Sequence, residues 1–234
     1  MRHYRFAPLQ ELLRLFFPAI CYGCGQPLEG DEQSLCVHCM SHLPLARNAA
    51  IVDNATELRL MGRVHFDAAA SYMYFKQGLV SQRIVHAIKY RGDEALGLRM
   101  GLLMGRDLAQ CGRFDSVDCL VPVPLHRSKL WQRGYNQSLL LCQGIAKTFP
   151  RPIVADALVR VIATDTQTDK DRIGRMDNIH KAFMVRNVSA LQGRHVLLVD
   201  DVLTTGATLS ECADVVLALP DTKVSIATLT LANG

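Results

Sequence analysis

The chain has 234 residues, 49% hydrophobic and 21% charged, with a formal net charge of +4 and a mean hydropathy of +0.11. That is enough chain for one domain plus a small appendage, and too apolar a composition for a disordered polymer. The first apolar run, over 12–20, is far short of the ~20 residues that cross a bilayer, contains Arg14 and Pro18, and has no small-residue cleavage site, so neither membrane insertion nor export is expected.

Charge is unevenly distributed. Residues 1–60 carry five Lys/Arg against six Asp/Glu, 61–150 twelve against six, and 151–234 nine against ten. The basic middle suits an anionic ligand such as phosphate or nucleic acid. On charge alone, an ordinary solvated surface is the simpler reading.

In chain order, residues before about 60 show short apolar stretches broken by Cys, Gly and Pro. After that point, strand-like and helix-like patterns alternate. Residues 66–75 read as extended, and Gly78 permits a turn into a helix whose apolar positions are Val80, Ile84, Val85 and Ile88. A second helix is expected over 96–108, a buried strand over 119–123, a helix over 139–149 and a strand over 158–162. The all-apolar run at 196–199 suits a central strand covered on both faces. Leu209, Cys212, Ala213, Val216 and Leu217 then recur at helical spacing, and 224–231 closes the pattern as a strand. Such alternation predicts an α/β fold with a parallel sheet, in a domain over 61–234 preceded by a small module over 1–60.

The module contains two Cys-x-x-Cys knuckles, Cys21/Cys24 and Cys36/Cys39, separated by eleven residues. Each knuckle turns two thiolates to one side of a tight loop, and two knuckles complete a tetrahedral sulfur set for Zn²⁺. Gly23 and Gly25 suit the sharp fold of the first knuckle. A redox pair and two disulfides are the rival readings, but a redox motif needs only one such pair. A closed four-sulfur site is structural by default. Cys111, Cys119, Cys142 and Cys212 lie in apolar or helical surroundings and read as core residues. A metal-binding thiol set and no export signal together imply a cytoplasmic protein.

The most specific segment runs from Val196 to Thr208: a buried strand, the acids Asp200 and Asp201, a loop with Thr204, Thr205 and Gly206, then a helix starting near Thr208. Open α/β sheets bind ligands beyond the carboxyl ends of their strands. Loop amides and the helix N-terminus offer N–H groups to an anion, and the threonines add hydroxyls. The two carboxylates suit sugar hydroxyls or Mg²⁺. Neither a Walker A pattern nor Gly-x-Gly-x-x-Gly is present.

This segment resembles the phosphoribosyl pyrophosphate (PRPP) signature of type I phosphoribosyltransferases. With the two cysteine knuckles, KYRGD (89–93), VPVPLHRSK (121–129), RGYNQ (133–137), TQ (166–167), Arg175, Asn178 and AF (182–183), the chain resembles the ComF family of competence proteins and GntX-like relatives over about 15–232. Tyr135 stands where many relatives have Phe. The resemblance implies that Asp200 and Asp201 hold the ribose 2′- and 3′-hydroxyls. Leu203, Thr204, Thr205, Gly206, Ala207 and Thr208 then cradle the 5′-phosphate, and Mg²⁺ accompanies PRPP. It also implies a pyrophosphate loop beginning at Pro124, with Arg127, Lys129 and Arg133 as its cations. Gln167, Arg175 and Asn178 fall in a long polar stretch over 164–180, read as an active-site lid or as a connection without a role.

Two functions follow from the resemblance. One is Mg²⁺-dependent phosphoribosyl transfer to an acceptor that the sequence does not name. The other is a non-enzymatic factor of natural transformation that handles single-stranded DNA with the DNA-uptake machinery and retains a PRPP pocket. The basic middle fits the second, but no aromatic-rich strip stands beside the basic residues in the sequence.

Overall fold

The computed structural model describes residues 19–161 and 182–232. After the first knuckle come α1 (Val37–Ser41), α2 (Ala55–Leu60), β1 (Ala69–Phe75), α3 (Val80–Tyr90), α4 (Glu94–Gln110), β2 (Cys119–Pro122), α5 (Arg127–Arg133) and α6 (Gln137–Ile145). Then follow β3 (Leu158–Arg160), β4 (Phe183–Val185), β5 (His195–Leu203), α7 (Ala207–Leu217) and β6 (Lys223–Ala232).

Four strands form a parallel sheet in the order β1-β6-β5-β2. The pleat sorts its side chains into two apolar layers. Leu197, Val199, Ala227 and Leu229 pack with Ile84, Ile88, Met100 and Leu141 of α3, α4 and α6. Val196, Leu198, Val224 and Ile226 pack with Leu209, Cys212, Ala213 and Val216 of α7. Both faces of the central strands are therefore dry, which explains the unbroken apolar run at 196–199. Burying each such side chain contributes about 1.5–3 kcal/mol.

The remaining strands, β3 and β4, form an antiparallel pair, with Leu158 and Phe183 packed into the α7 layer. The four-cysteine segment shares the opposite layer: Cys21, Leu35 and Cys39 belong to the same apolar cluster as Ile84, Val85 and Ile88.

Three local expectations are corrected. The strand expected over 196–199 is longer than its apolar run: β5 continues through the acid pair to Leu203, pairing Asp200 with Thr228 and Leu203 with Leu231 on the long β6. The segment carrying Arg127, Lys129 and Arg133 is a helix, α5, capped at its start by the His126 side chain accepting from the Ser128 N–H. A short helix, α2, capped by Asn54, was missed because its six residues are too few to show a period.

Candidate functional site

Three segments meet at the carboxyl end of β5. The first is β5 itself with its following loop. Asp200 is in register with Val196 and Leu198, and Asp201 with Leu197 and Val199, so the pleat directs the two carboxyls to opposite layers. Beyond Leu203 the loop leaves the N–H groups of Thr204, Thr205 and Gly206 without a hydrogen-bond partner among the described residues, and Ala207 N–H meets Thr205 Oγ1 at 3.4 Å. Gly206 has φ +87°. A side chain there would be strained, and its Cβ would lie 2.9 Å from Leu60 Cδ2. Free amides, hydroxyls and the start of α7 offer donors suited to a phosphate.

The second segment runs from the end of β2 into α6. Asn136 Nδ2 donates to Val123 O (3.0 Å) while its Oδ1 accepts from Ser138 N–H. Ser138 Oγ donates to Asp200 Oδ1 at 3.0 Å, and the Asp201 N–H reaches the same oxygen at 2.9 Å. Arg133 Nη1 donates to Gln137 Oε1, and Tyr135 Oη–H donates to Ile88 O. The RGYNQ run and the Ser138 that follows it thus staple the β2 loop, α3 and the acid pair together.

The third is α3, whose Lys89 Nζ lies 3.0 Å from Asp201 Oδ2. Asp201 is 5% exposed. Burial and the adjacent Asp201 charge push the Asp200 carboxyl up to about 7, against the opposing pull of the Asp201 N–H, Lys89 and Ser138. Such a pair suits ligands that add donors or positive charge, namely sugar hydroxyls and a divalent cation.

The cations of α5 have different surroundings. Arg133 stacks over the Tyr90 ring at 5.1 Å, beside Lys89. Arg127 and Leu130 instead line a cleft of ≈ 1200 Å³ that runs past Tyr135, Gln143, Asp156 and Arg186. Lys129 is exposed. The lid residues Gln167, Arg175 and Asn178 lie outside the described residues.

Sequence reasoning missed Ser138, Lys89 and Arg59. Arg59 Nη1 on α2 donates to Thr204 O at 2.8 Å, and Arg63 approaches Gly206. Lys89 stood in a quoted motif, but only the fold shows what its ammonium faces. Nothing in the sequence links Arg59 to a loop 145 positions away.

The four cysteines form a second site. Their sulfurs lie within 4.8 Å of one another, and Cys24 and Cys36 are 3.8 Å apart. Four sulfurs at ~2.3 Å from Zn²⁺ have tetrahedral edges of about 3.8 Å, so the set fits a metal ion. N–H groups of Gly23 and Cys36 point at Cys21 Sγ (3.3 and 3.2 Å), and that of Cys39 at Cys36 Sγ (3.4 Å). Burial works to raise the Cys21 thiol, but backbone donors at Cys36, Cys24 and Gly23 outweigh it and bring the group down to about 7. Cys39 is pushed up by burial and by its neighbouring thiols. A cation bound among the sulfurs relieves that repulsion. Gly23 is required for the approach, since a Cβ there would sit 2.5 Å from Cys39 Sγ.

The sheet, its flanking helices and the acid-pair loop define a phosphoribosyltransferase-like α/β protein, and residues 136–233 match the phosphoribosyl transferase domain family. The DNA utilization protein YhgH of Escherichia coli O157:H7 is 31% identical over 206 residues, covering 85% of this chain and 84% of the relative. Competence protein F of Haemophilus influenzae is 32% identical over 192 residues, covering 82% and 75%. The chain belongs to the ComF family, the family of these proteins. Among solved structures, glutamine phosphoribosylpyrophosphate (PRPP) amidotransferase from B. subtilis, complexed with ADP and GMP, matches 62% of this chain and 30% of its own length at TM-score 0.41 and 15% identity. No helix among the described residues is long and apolar enough to cross a membrane.

Proposed function

We propose that this protein binds PRPP with Mg²⁺ at the end of β5 and transfers its phosphoribosyl group to an acceptor in DNA utilisation or uptake. The observation that carries the reading is the junction of two acids at the end of a central parallel strand with an amide-rich threonine loop and a helix start. In this reading Asp200 and Asp201 take the ribose 2′- and 3′-hydroxyls, and the backbone and hydroxyls of 203–208 take the 5′-phosphate. Arg133, which lies over the ring of Tyr90, the residue after Lys89, meets the pyrophosphate, with Arg127 and Lys129 of the same helix as further cations. Mg²⁺ offsets the pyrophosphate charge as C1 becomes cation-like. Zn²⁺ fills the four-cysteine site as a structural ion, in a cytoplasmic protein whose thiols stay reduced.

The test is pyrophosphate release from PRPP across bases, nucleosides and oligonucleotides. One acceptor that drives release supports transfer; Mg²⁺–PRPP binding without release for any of them removes the transferase claim.

A specific arrangement favours a second reading, a factor that handles single-stranded DNA. Three separated segments bring aromatic and cationic side chains to one surface. Arg91 lies over Tyr22 at 5.6 Å, His86 stacks near Tyr90 at 4.9 Å, and Arg133 covers Tyr90. Trp131 is 91% exposed on α5, and a 230 Å³ hollow between the knuckle and α3 is lined by Tyr22, Gln82, Arg83, His86 and Arg91. Alternating rings and cations suit stacked bases and their phosphates. The sequence hides this strip because its parts lie tens of residues apart.

A further inference from the structure

The acid pair and the four-cysteine module are joined through α3. Near the start of this helix, a Cβ on Gly23 would come within 2.7 Å of Val80 Cγ2, so the knuckle backbone is pressed against the helix. One turn on, Arg83 Nη1 donates to Gly23 O. Past the end of the helix, Arg91 lies over the Tyr22 ring, and Ser34 Oγ donates to Asp93 Oδ2 at 2.9 Å. Asp93 in turn caps α4 through the Leu96 N–H, and Arg99 Nη1 donates to Gln33 O at 2.7 Å. Residues between the two knuckles, and Tyr22 and Gly23 inside the first, therefore grip α3 along its length and clamp the turn that follows it. Lys89 sits in the last turn of that helix, two residues before Arg91, with its ammonium on Asp201. Among the described residues, Lys89 is the one cation within ion-pair distance of either acid.

We propose that Lys89 is the positioning residue of the acid pair, and that a metal ion in the four-cysteine site sets it there, so that metal loading of the N-terminal module controls the ligand site. A helix of eleven residues spans about 16 Å and transmits displacement as a strut. Without a bound cation no ligand bonds bridge the four sulfurs, and the knuckles loosen, which releases Arg83, Arg91 and Asp93 from their partners. Lys89 then leaves Asp201. In place, its ammonium holds the second carboxylate in one orientation, and stops the two acids from acting as a bare divalent-cation trap. Magnesium then enters with its sugar diphosphate rather than alone. The last step rests on the PRPP reading given above; the coupling of the cysteine site to Lys89 does not.

The test uses the full chain. Acetylation of lysines by a water-soluble reagent, read by mass spectrometry, reports Lys89 directly without any sugar ligand. Zinc-loaded protein is compared with chelator-stripped protein and with the Ser34→Ala/Arg91→Ala variant, which keeps all four thiols and covers the case in which stripping unfolds the chain. Lys89 labelling several-fold faster in the clamp variant, with exposed Lys147 unchanged, is the expected result. Equal protection of Lys89 in loaded protein and clamp variant overturns the coupling. Titration with Mn²⁺ alone and with Mg²⁺–PRPP separates the ligand step. Lys89→Met is expected to bind free Mn²⁺ about tenfold more tightly and Mg²⁺–PRPP at least tenfold more weakly, with Lys89→Arg restoring both. If Lys89→Met binds both as the unmodified protein does, the positioning role is wrong while the PRPP reading stands. If the unmodified protein binds no PRPP, that reading falls, and the lysine labelling still decides the coupling.

Discussion

Ser138 Oγ donates a 3.0 Å hydrogen bond to Asp200 Oδ1, tying the first turn of α6 to the end of the central strand. The bond supports a carboxyl that its surroundings resist charging: burial and the Asp201 charge push Asp200 up to about 7. Such a group destabilises the folded chain wherever the unfolded chain would ionise it freely. The penalty begins as pH rises past about 4 and is complete above about 7. Because Asp200 keeps partial contact with solvent, it is on the order of a few kcal/mol.

The first prediction follows from that sign. Asp200→Asn keeps an acceptor for Ser138 and for the Asp201 N–H but removes the charge. It should raise the melting temperature at pH 8 by several degrees, at about 2–4 °C per kcal/mol, and by little near pH 4. Melting curves of both proteins from pH 4 to 8 check this. A variant destabilised equally at every pH contradicts it.

Gly23→Ala should disable the metal site. The added Cβ collides with Cys39 Sγ and Val80 Cγ2, so either a sulfur or α3 must move. We expect a loss of about 1–3 kcal/mol from overpacking and a substoichiometric metal content. Metal analysis of the purified variant beside the unmodified protein decides the matter.

Arg59 holds the loop after β5 from outside, through the carbonyl of Thr204. Arg59→Ala removes one charged hydrogen bond and should weaken Mg²⁺–PRPP binding about 3- to 10-fold, without changing metal content in the cysteine site. Calorimetric titration gives the ratio, and an unchanged affinity would show that the loop holds its shape without Arg59.

For single-stranded DNA, Trp131 and Arg133 should fail in different ways. Trp131→Ala should weaken binding by about 1–3 kcal/mol with the salt slope retained, as loss of a stacked base does. Arg133→Gln should reduce the slope of log K against log salt by about 0.7, as loss of one phosphate contact does. Binding by fluorescence anisotropy at several salt concentrations separates the two, and a surface indifferent to both substitutions is not the one that holds DNA.

The parallel sheet and the cysteine cluster were legible because both depend on short-range pattern. The run at 196–199 is apolar because both faces of β5 are covered, and two Cys-x-x-Cys turns fix their own geometry. β5 outruns its apolar stretch at 196–199 because pairing with the longer β6, and not the local hydrophobic run, sets where it ends. The α5 helix was hidden for a related reason: no residue in it is buried, so it shows no amphipathic period. Lys89, Ser138 and Arg59 reach the site from 112, 62 and 145 positions away, and contacts of that kind are set by packing of the whole sheet.

If the end of β5 and its loop form a phosphoribosyl site, the two acids are required for PRPP to bind. Calorimetric titration of the full chain with PRPP and Mg²⁺, beside the Asp200→Asn/Asp201→Asn double variant, tests it most directly. Saturable binding at one site per chain, lost in the double variant, is the expected result. No binding by the unmodified chain, or equal binding by the variant, would contradict it.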